Sequence, residues 1–318
     1  MTASMETVEN KTTPCIVPFD VHDVYGHTVI EAGVEMTPAV LEEIASPGRF
    51  ASSCTLGLRN SRIMKDMKYV LGRPPYSGLF TADRRSTIMA MFNDLNILPV
   101  LFEEFEMMKN KERYVYKHAL GTAALTASMA IDLYGEEKAS FIGYTALTRD
   151  LGMTRLPGKV LKQKIVKDEN TYRILQSHPV IGHILLTYYM GGSQSGNCRV
   201  ALLHHERKNG MGYPTGIALE DGVVELVTAA DAFGALLAPR PYRKTPFELR
   251  SALDVMWVEG KQGLFSPMAV KLLDAHSRTD SGSPGENGDA DDMCIPGPVD
   301  NNYINWSVYQ TDKKKCDL

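Results

Sequence analysis

The chain has 318 residues, 44% hydrophobic and 23% charged, a composition that suits a globular protein with one sizeable core and room for a smaller companion. A formal net charge of -4 excludes a general DNA or RNA binder, because phosphate-backbone affinity needs clustered excess Lys and Arg. Five widely spaced cysteines with no C-x-x-C pair exclude a disulfide framework and a zinc ribbon, and they fit a reducing cytoplasm.

Residues 1–12 are polar, carry no apolar signal-peptide core and are expected to be disordered. Residues 13–80 read as a small α+β accessory module. There Ile16 to Asp20 and Thr28 to Ile30 bracket a Tyr25-Gly26-His27 turn, and Thr37-Pro38 opens a short helix over Ala39 to Ala45. From Ser86 to Lys111 the spacing is helical, with Met89, Phe92, Leu101 and Phe105 among the recurring apolar positions. The same period predicts helices over His118 to Tyr134, Lys138 to Asp150, Asp168 to Met190, Cys198 to His205, Val223 to Leu237, Pro246 to Glu259 and Pro267 to His276. No strand pattern of comparable strength and no repeat of solenoid period follows. The fold class is therefore all-α, a helical bundle over residues 95–278 behind the small module. The longest apolar-looking stretch, Val223 to Pro239, is interrupted by Glu225 and Asp231, so no membrane span is expected. Residues 279–318 combine Gly, Pro and Asn with eight acids, an acidic tail expected to be disordered.

Four of the eight histidines coincide with other local signals. His204 and His205 are adjacent and cannot share a helix face, so a site using both must sit where a helix ends. Such an end follows at once: Lys208 to Pro214 holds two glycines and a proline, which stop a helix and build a tight loop. His118, His178, Asp150 and Asp231 fall on the flanking helical segments. Imidazole nitrogens with carboxylate oxygens suit Fe, Mn, Zn or Ni, and a carboxylate bridging two ions is the usual core of a dinuclear hydrolytic site. His22, His27, His183 and His276 stand alone and read as ordinary core or surface side chains.

Residues 204–214, His-His-Glu-Arg-Lys-Asn-Gly-Met-Gly-Tyr-Pro, resemble the HHExxDGxGYP signature of the HD-GYP family, a branch of the HD superfamily of metal-dependent phosphohydrolases. His178-Pro179 with Gly182 resembles the family's HPxxG, Ala230-Asp231-Ala232-Phe233 its ADxFDAL, and Arg240-Pro241-Tyr242-Arg243 its RPYR. The resemblance implies an α-helical bundle that hydrolyses cyclic di-GMP at a metal centre, commonly of iron or manganese. It implies metal ligation by His118, Asp150, His178, His204, His205 and Asp231, with Asp150 bridging and Asp150 and His205 serving catalysis. It also implies contacts to a cyclic di-GMP or related nucleotide from Arg240, Arg243 and Tyr213, the last in a loop linked to GGDEF-type protein partners.

Four positions depart from the pattern. Arg149 stands where the HDxGK element has its histidine, and a guanidinium cannot coordinate a metal. Met153 stands for that element's lysine, Asn209 for the loop aspartate and Gly234 for the second aspartate of ADxFDAL. The expectation is one divalent ion, Fe or Mn, in place of two or three, with weakened or lost turnover. Arg149 against Asp150 and Asp231 would then form a salt bridge where the first metal belongs. The alternative is a catalytically silent module that binds cyclic di-GMP or presents the loop to a partner.

Overall fold

The computed structural model describes residues 15–45, 50, 54–161, 168–239 and 245–277. The expectations for residues 1–12, for the tail 279–318, and for Arg240 and Arg243 fall outside these residues.

The N-terminal part rests on two minimal antiparallel pairs. β1 (Val21–His22) pairs with β2 (Thr28–Ile30). The first strand lies later than the Ile16 to Asp20 expected from the sequence. Pro18 has no N–H to give to a ladder, and Ile16 makes only an isolated bridge to Glu35. Asp23 builds the turn between the strands: its Oδ1 accepts from the Tyr25 and His27 amides, both at 2.9 Å. α1 (Pro38–Ala45) starts at the expected signal, the Val40 amide donating to Thr37 Oγ1 at 3.3 Å.

The second pair joins β3 (Leu56–Gly57) to β4 (Asn96–Ile97). Between them lie α2 (Arg62–Leu71), a 3-10 turn (Tyr76–Gly78) and α3 (Ala82–Asn93). β4 thus interrupts the helical run expected from Ser86 to Lys111. Asp94 caps α3, and Pro99, with no N–H to lose, opens α4 (Pro99–Lys111).

The bundle is arranged around α5 (Arg113–Thr148), which breaks helical geometry only at Gly135 (φ 76°) and is buried almost without interruption from His118 to Ala130. A 3-10 turn (Leu151–Arg155) and α6 (Gly158–Leu161) follow. Next come α7 (Glu169–Gln176) and α8 (His178–Met190), two helices where the pattern predicts one. Ser177 closes α7, and Pro179 sits in the first turn of α8, where its missing N–H costs nothing. α9 (Gly196–Leu203), α10 (Gly222–Leu237), α11 (Leu249–Lys261) and α12 (Pro267–Ser277) complete the fold. α5 packs against α2, α3, α4, α9, α10 and α12, while α8 packs against α1, α9 and the 3-10 turn that follows Thr148. The result is the helical bundle with a small α+β leader that the sequence pattern predicts. Each fully buried Leu or Phe, such as Phe92, Leu120 and Phe233, contributes about 1.5–3 kcal/mol, so the core can carry a polar cluster at its centre. No helix among the described residues is long and apolar enough to cross a membrane.

Candidate metal centre

Five stretches of chain deliver six ligand-type side chains to one place. His118 lies in the second turn of α5, Asp150 just past its end, His178 at the start of α8, His204 and His205 at the end of α9, and Asp231 in the middle of α10. The ligand atoms of His178, His204 and His205 lie within 4.8 Å of one another, as do those of His118, Asp150 and Asp231. The site has a histidine half and an arginine half, and Asp150 faces both.

In the histidine half the backbone fixes two tautomers. His178 Nδ1–H donates to the Leu175 carbonyl at 2.7 Å, and His204 Nδ1–H donates to the Ala201 carbonyl at 2.9 Å. Each ring is left with its Nε2 lone pair pointing inward, and the two Nε2 atoms are 3.3 Å apart. Asp150 Oδ1 lies 3.6 Å from the first and 3.5 Å from the second. The three atoms converge on one point, where a cation would meet all of them. Ligands held about 2.1 Å from a tetrahedral ion stand about 3.4 Å apart, so these separations fit one divalent metal. Protonation favours the same outcome. Burial, with His204 nearby, pushes His178 down to about 4, and burial with His204 and His178 pushes His205 well below the usual histidine range, so both rings are neutral donors at pH 7.

In the arginine half the fully buried Arg149 guanidinium takes the central position. Its Nε and Nη2 donate to Asp231 Oδ1 at 2.9 and 2.5 Å, and Nη2 also meets Asp150 Oδ2 at 2.9 Å. Nη1 donates to the Ala146 carbonyl at 2.9 Å, and Thr122 Oγ1 accepts from Nη2 at 3.3 Å. His118 Nε2 spends itself on the same Asp231 oxygen at 2.9 Å. Burial alone would raise both carboxyls. Arg149, joined by His204 at Asp150 and by His118 at Asp231, outweighs it and holds both below the usual carboxylate range. A second ion does not fit here without evicting Arg149. Charge counting agrees: one guanidinium against two carboxylates leaves one negative charge, and Asp150 Oδ1 carries it toward the histidines.

The glycine-rich loop closes over the histidine half. Tyr213 stacks on His205, ring centroids 4.7 Å apart and planes 17° apart, and stands edge-on to His178 at 6.4 Å. Only glycine fits at 212, because a Cβ there would lie 2.4 Å from Glu206 Cα and 2.5 Å from the His205 carbonyl oxygen. Buried Glu206 ties the loop shut: its Oε1 accepts from the Thr215 amide at 2.7 Å, the Thr215 hydroxyl at 2.8 Å and the Gly216 amide at 3.1 Å. The motif by itself gives Glu206 no role, although an acid among loop glycines is a signal for such amide binding. Thr122 carries no signal at all.

The other departures differ in where they lie. Met153 is half-buried, and its amide donates to the Asp150 carbonyl at 2.9 Å. Asn209 is exposed and shapes the loop by accepting from the Met211 amide at 3.1 Å. Gly234 packs beside the arginine half, where a Cβ would come within 3.3 Å of His118 Cε1 and Thr122 Oγ1. The four solitary histidines join neither cluster; His183, for example, donates from Nδ1 to the Cys198 carbonyl at 2.9 Å, and His27 pairs with Asp23 at 2.9 Å.

A family model described as HD domain matches residues 102–268, just over half of the chain. The chain is 33% identical over 140 residues to the cyclic di-GMP phosphodiesterase response regulator RpfG of Xanthomonas campestris pv. campestris, covering 43% of this chain and 36% of that protein. It is 26% identical over 213 residues to the cyclic di-GMP phosphodiesterase of Thermotoga maritima, covering 62% and 57%. It is 30% identical over 171 residues to 3'3'-cGAMP-specific phosphodiesterase 1 of Vibrio cholerae, covering 53% and 39%. The chain thus spans between 36% and 57% of the length of these relatives.

Proposed function

The chain belongs to the HD domain family, in its HD-GYP branch, and from that premise we propose that it is a one-metal cyclic-dinucleotide phosphohydrolase, with cyclic di-GMP the first substrate to try and turnover much reduced. The observation that carries this reading is the split of Asp150. One carboxylate oxygen faces two converging Nε2 lone pairs, and the other is tied to Arg149. His178, His204, His205 and Asp150 would hold the ion, Fe or Mn, which when bound would supply Lewis-acid activation of water and of a phosphoryl oxygen. Neutral His178 and His205 hold lone pairs toward that point, and Tyr213 covers it from solvent. Arg149 offers one fixed positive charge where a two-metal site would clamp a second oxygen, and this is the reason to expect slow turnover. Arg240 and Arg243 supply phosphate contacts in this reading, and Asp150 and His205 are its catalytic pair.

A second reading, a silent module that binds the cyclic dinucleotide or offers the loop to a GGDEF-type partner, draws support from Arg149. A guanidinium that satisfies both carboxylates preserves the fold without the first ion. Metal analysis and a cyclic di-GMP hydrolysis assay separate the two. About one Fe or Mn per chain with slow hydrolysis supports the enzyme; nucleotide binding without hydrolysis supports the module. The Arg149→His, Met153→Lys variant sharpens the test. It should bind about one further ion and hydrolyse faster than the parent, on the order of 10²-fold for a restored electrostatic group. An unchanged metal count and no gain in turnover would count against the one-metal enzyme.

A further inference from the structure

Five residues past Asp150, Arg155 stands at a junction of four parts of the fold. Its guanidinium forms a two-pronged pair with Glu104 of α4, Nη2 to Oε1 at 2.5 Å and Nη1 to Oε2 at 2.8 Å, and Glu104 is wholly buried. Tyr189, near the end of α8, donates to Glu104 Oε1 at 2.5 Å and accepts from Arg155 Nη2 at 3.3 Å. The N-terminal hairpin closes the junction. The His22 carbonyl accepts Arg155 Nε–H at 2.7 Å, and the Val24 amide donates to the Tyr189 hydroxyl at 3.2 Å.

The other end of the same 3-10 turn is pressed onto the start of α8. A Cβ at Gly152 would lie 2.0 Å from the His178 carbonyl oxygen and 2.6 Å from the Gly182 nitrogen, so the two backbones touch. The Met153 amide donates to the Asp150 carbonyl, so Asp150 caps the start of that turn. The turn is therefore fixed to α8 twice, beside His178 through Gly152 and beside Tyr189 through Arg155. These two positions are about 16 Å apart along the helix axis. Two anchors at that spacing fix both the slide and the rotation of the segment that carries Asp150.

We infer that Arg155 is a positioning residue for the histidine half of the site, holding Asp150 in register with His178 and His204, and that the N-terminal hairpin is the abutment it pushes against. The inference rests on the metal reading above. It gives the hairpin a role: displacing it strips a partner from both Arg155 and Tyr189 and loosens Asp150, so metal affinity follows the docking of the hairpin.

The test uses the full chain. Arg155→Met combined with Glu104→Leu removes both charges, so neither is left buried alone. Tyr189→Phe removes only the hydroxyl that links the hairpin to the pair. Affinity for Mn2+ alone, read by calorimetry, should fall about 10- to 100-fold in the double variant, the range for groups that orient metal ligands, and about threefold in Tyr189→Phe. Hydrogen exchange at the amides of residues 151–156 should quicken while the middle of α5 keeps the parent's protection. A double variant that melts cooperatively, binds Mn2+ like the parent and protects residues 151–156 equally overturns the inference. If the double variant does not fold, Tyr189→Phe decides, and parent-like Mn2+ affinity and exchange there overturn it. A parent that binds no Mn2+ overturns the metal reading instead, and exchange at residues 151–156 then decides on Arg155 alone.

Discussion

The two halves of the site use the same kinds of residue to opposite ends. In the histidine half, ligand atoms 3.3–3.6 Å apart converge on one another, whereas in the arginine half the two carboxylates converge on a guanidinium of the chain itself. What separates them is one residue, Arg149. A buried cation supplied by the chain completes a set of anions as an ion would, but it brings no open coordination position and no activated water. The comparison teaches that a ligand count read from a motif does not give an ion count, because a site can be filled from within.

The largest effect expected is on metal content. His204→Ala removes one of the two converging Nε2 atoms, and elemental analysis of the purified variant should show the content falling from about one ion per chain to almost none. Retention of a full ion would place it outside the histidine half and break the comparison. Arg149→Met comes next. It leaves Asp150 and Asp231 buried without their cation, and urea denaturation should read a loss of about 3–5 kcal/mol. A near-zero loss would mean that metal, and not Arg149, already balances those carboxylates.

Acidification separates the halves by the pH at which each loses stability. The folded-state value of His178, about 4, lies below its unfolded value, so the unfolded chain takes up the proton first as the pH falls. Its stability contribution is intact above about pH 6.5 and declines toward about pH 4. Between pH 7.5 and 5 the metal-free protein should lose about 2 kcal/mol through His178. His205 acts in the same direction, while Glu206, raised by burial, offsets part of the loss. The lowered carboxyls of the arginine half lose their contribution only below the usual aspartate range. Melting curves that are flat between pH 7.5 and 5 would mean the histidines are not buried neutral. The smallest effect is that of Tyr213→Leu, which removes the stack on His205 and should cost about 0.5–1.5 kcal/mol, with metal content unchanged.

The sequence made the site legible where chemistry is written as short runs. His204, His205 and the glycines after them announce a helix end, and Arg149 next to Asp150 announces a cation beside a carboxylate. It was silent where the site depends on distant segments. Glu104, Arg155 and Tyr189 meet across 51 and 34 residues of chain, the first and last inside helical patterns they do not break and Arg155 between two of them, so nothing marks them as partners. The fold shows the same division. The helical period located the bundle, but it ran through Asp94–Leu98 and Ser177, where capping and the missing N–H of Pro99 and Pro179 override apolar spacing. The hairpin lies later than its sequence suggests, because Ile16 to Asp20 looks like a strand while Pro18 cannot join a ladder.

Arg149 also changes how the protein depends on its surroundings. A bound ion leaves at a finite rate and returns only if the medium supplies it, whereas a guanidinium tethered through its own backbone never dissociates and cannot be chelated. A chelator that stripped an ion from the histidine half would leave Arg149 paired with Asp150 and Asp231. On the one-metal reading, the arginine half of the pocket would therefore be indifferent to metal starvation, and only the histidine half would wait on supply.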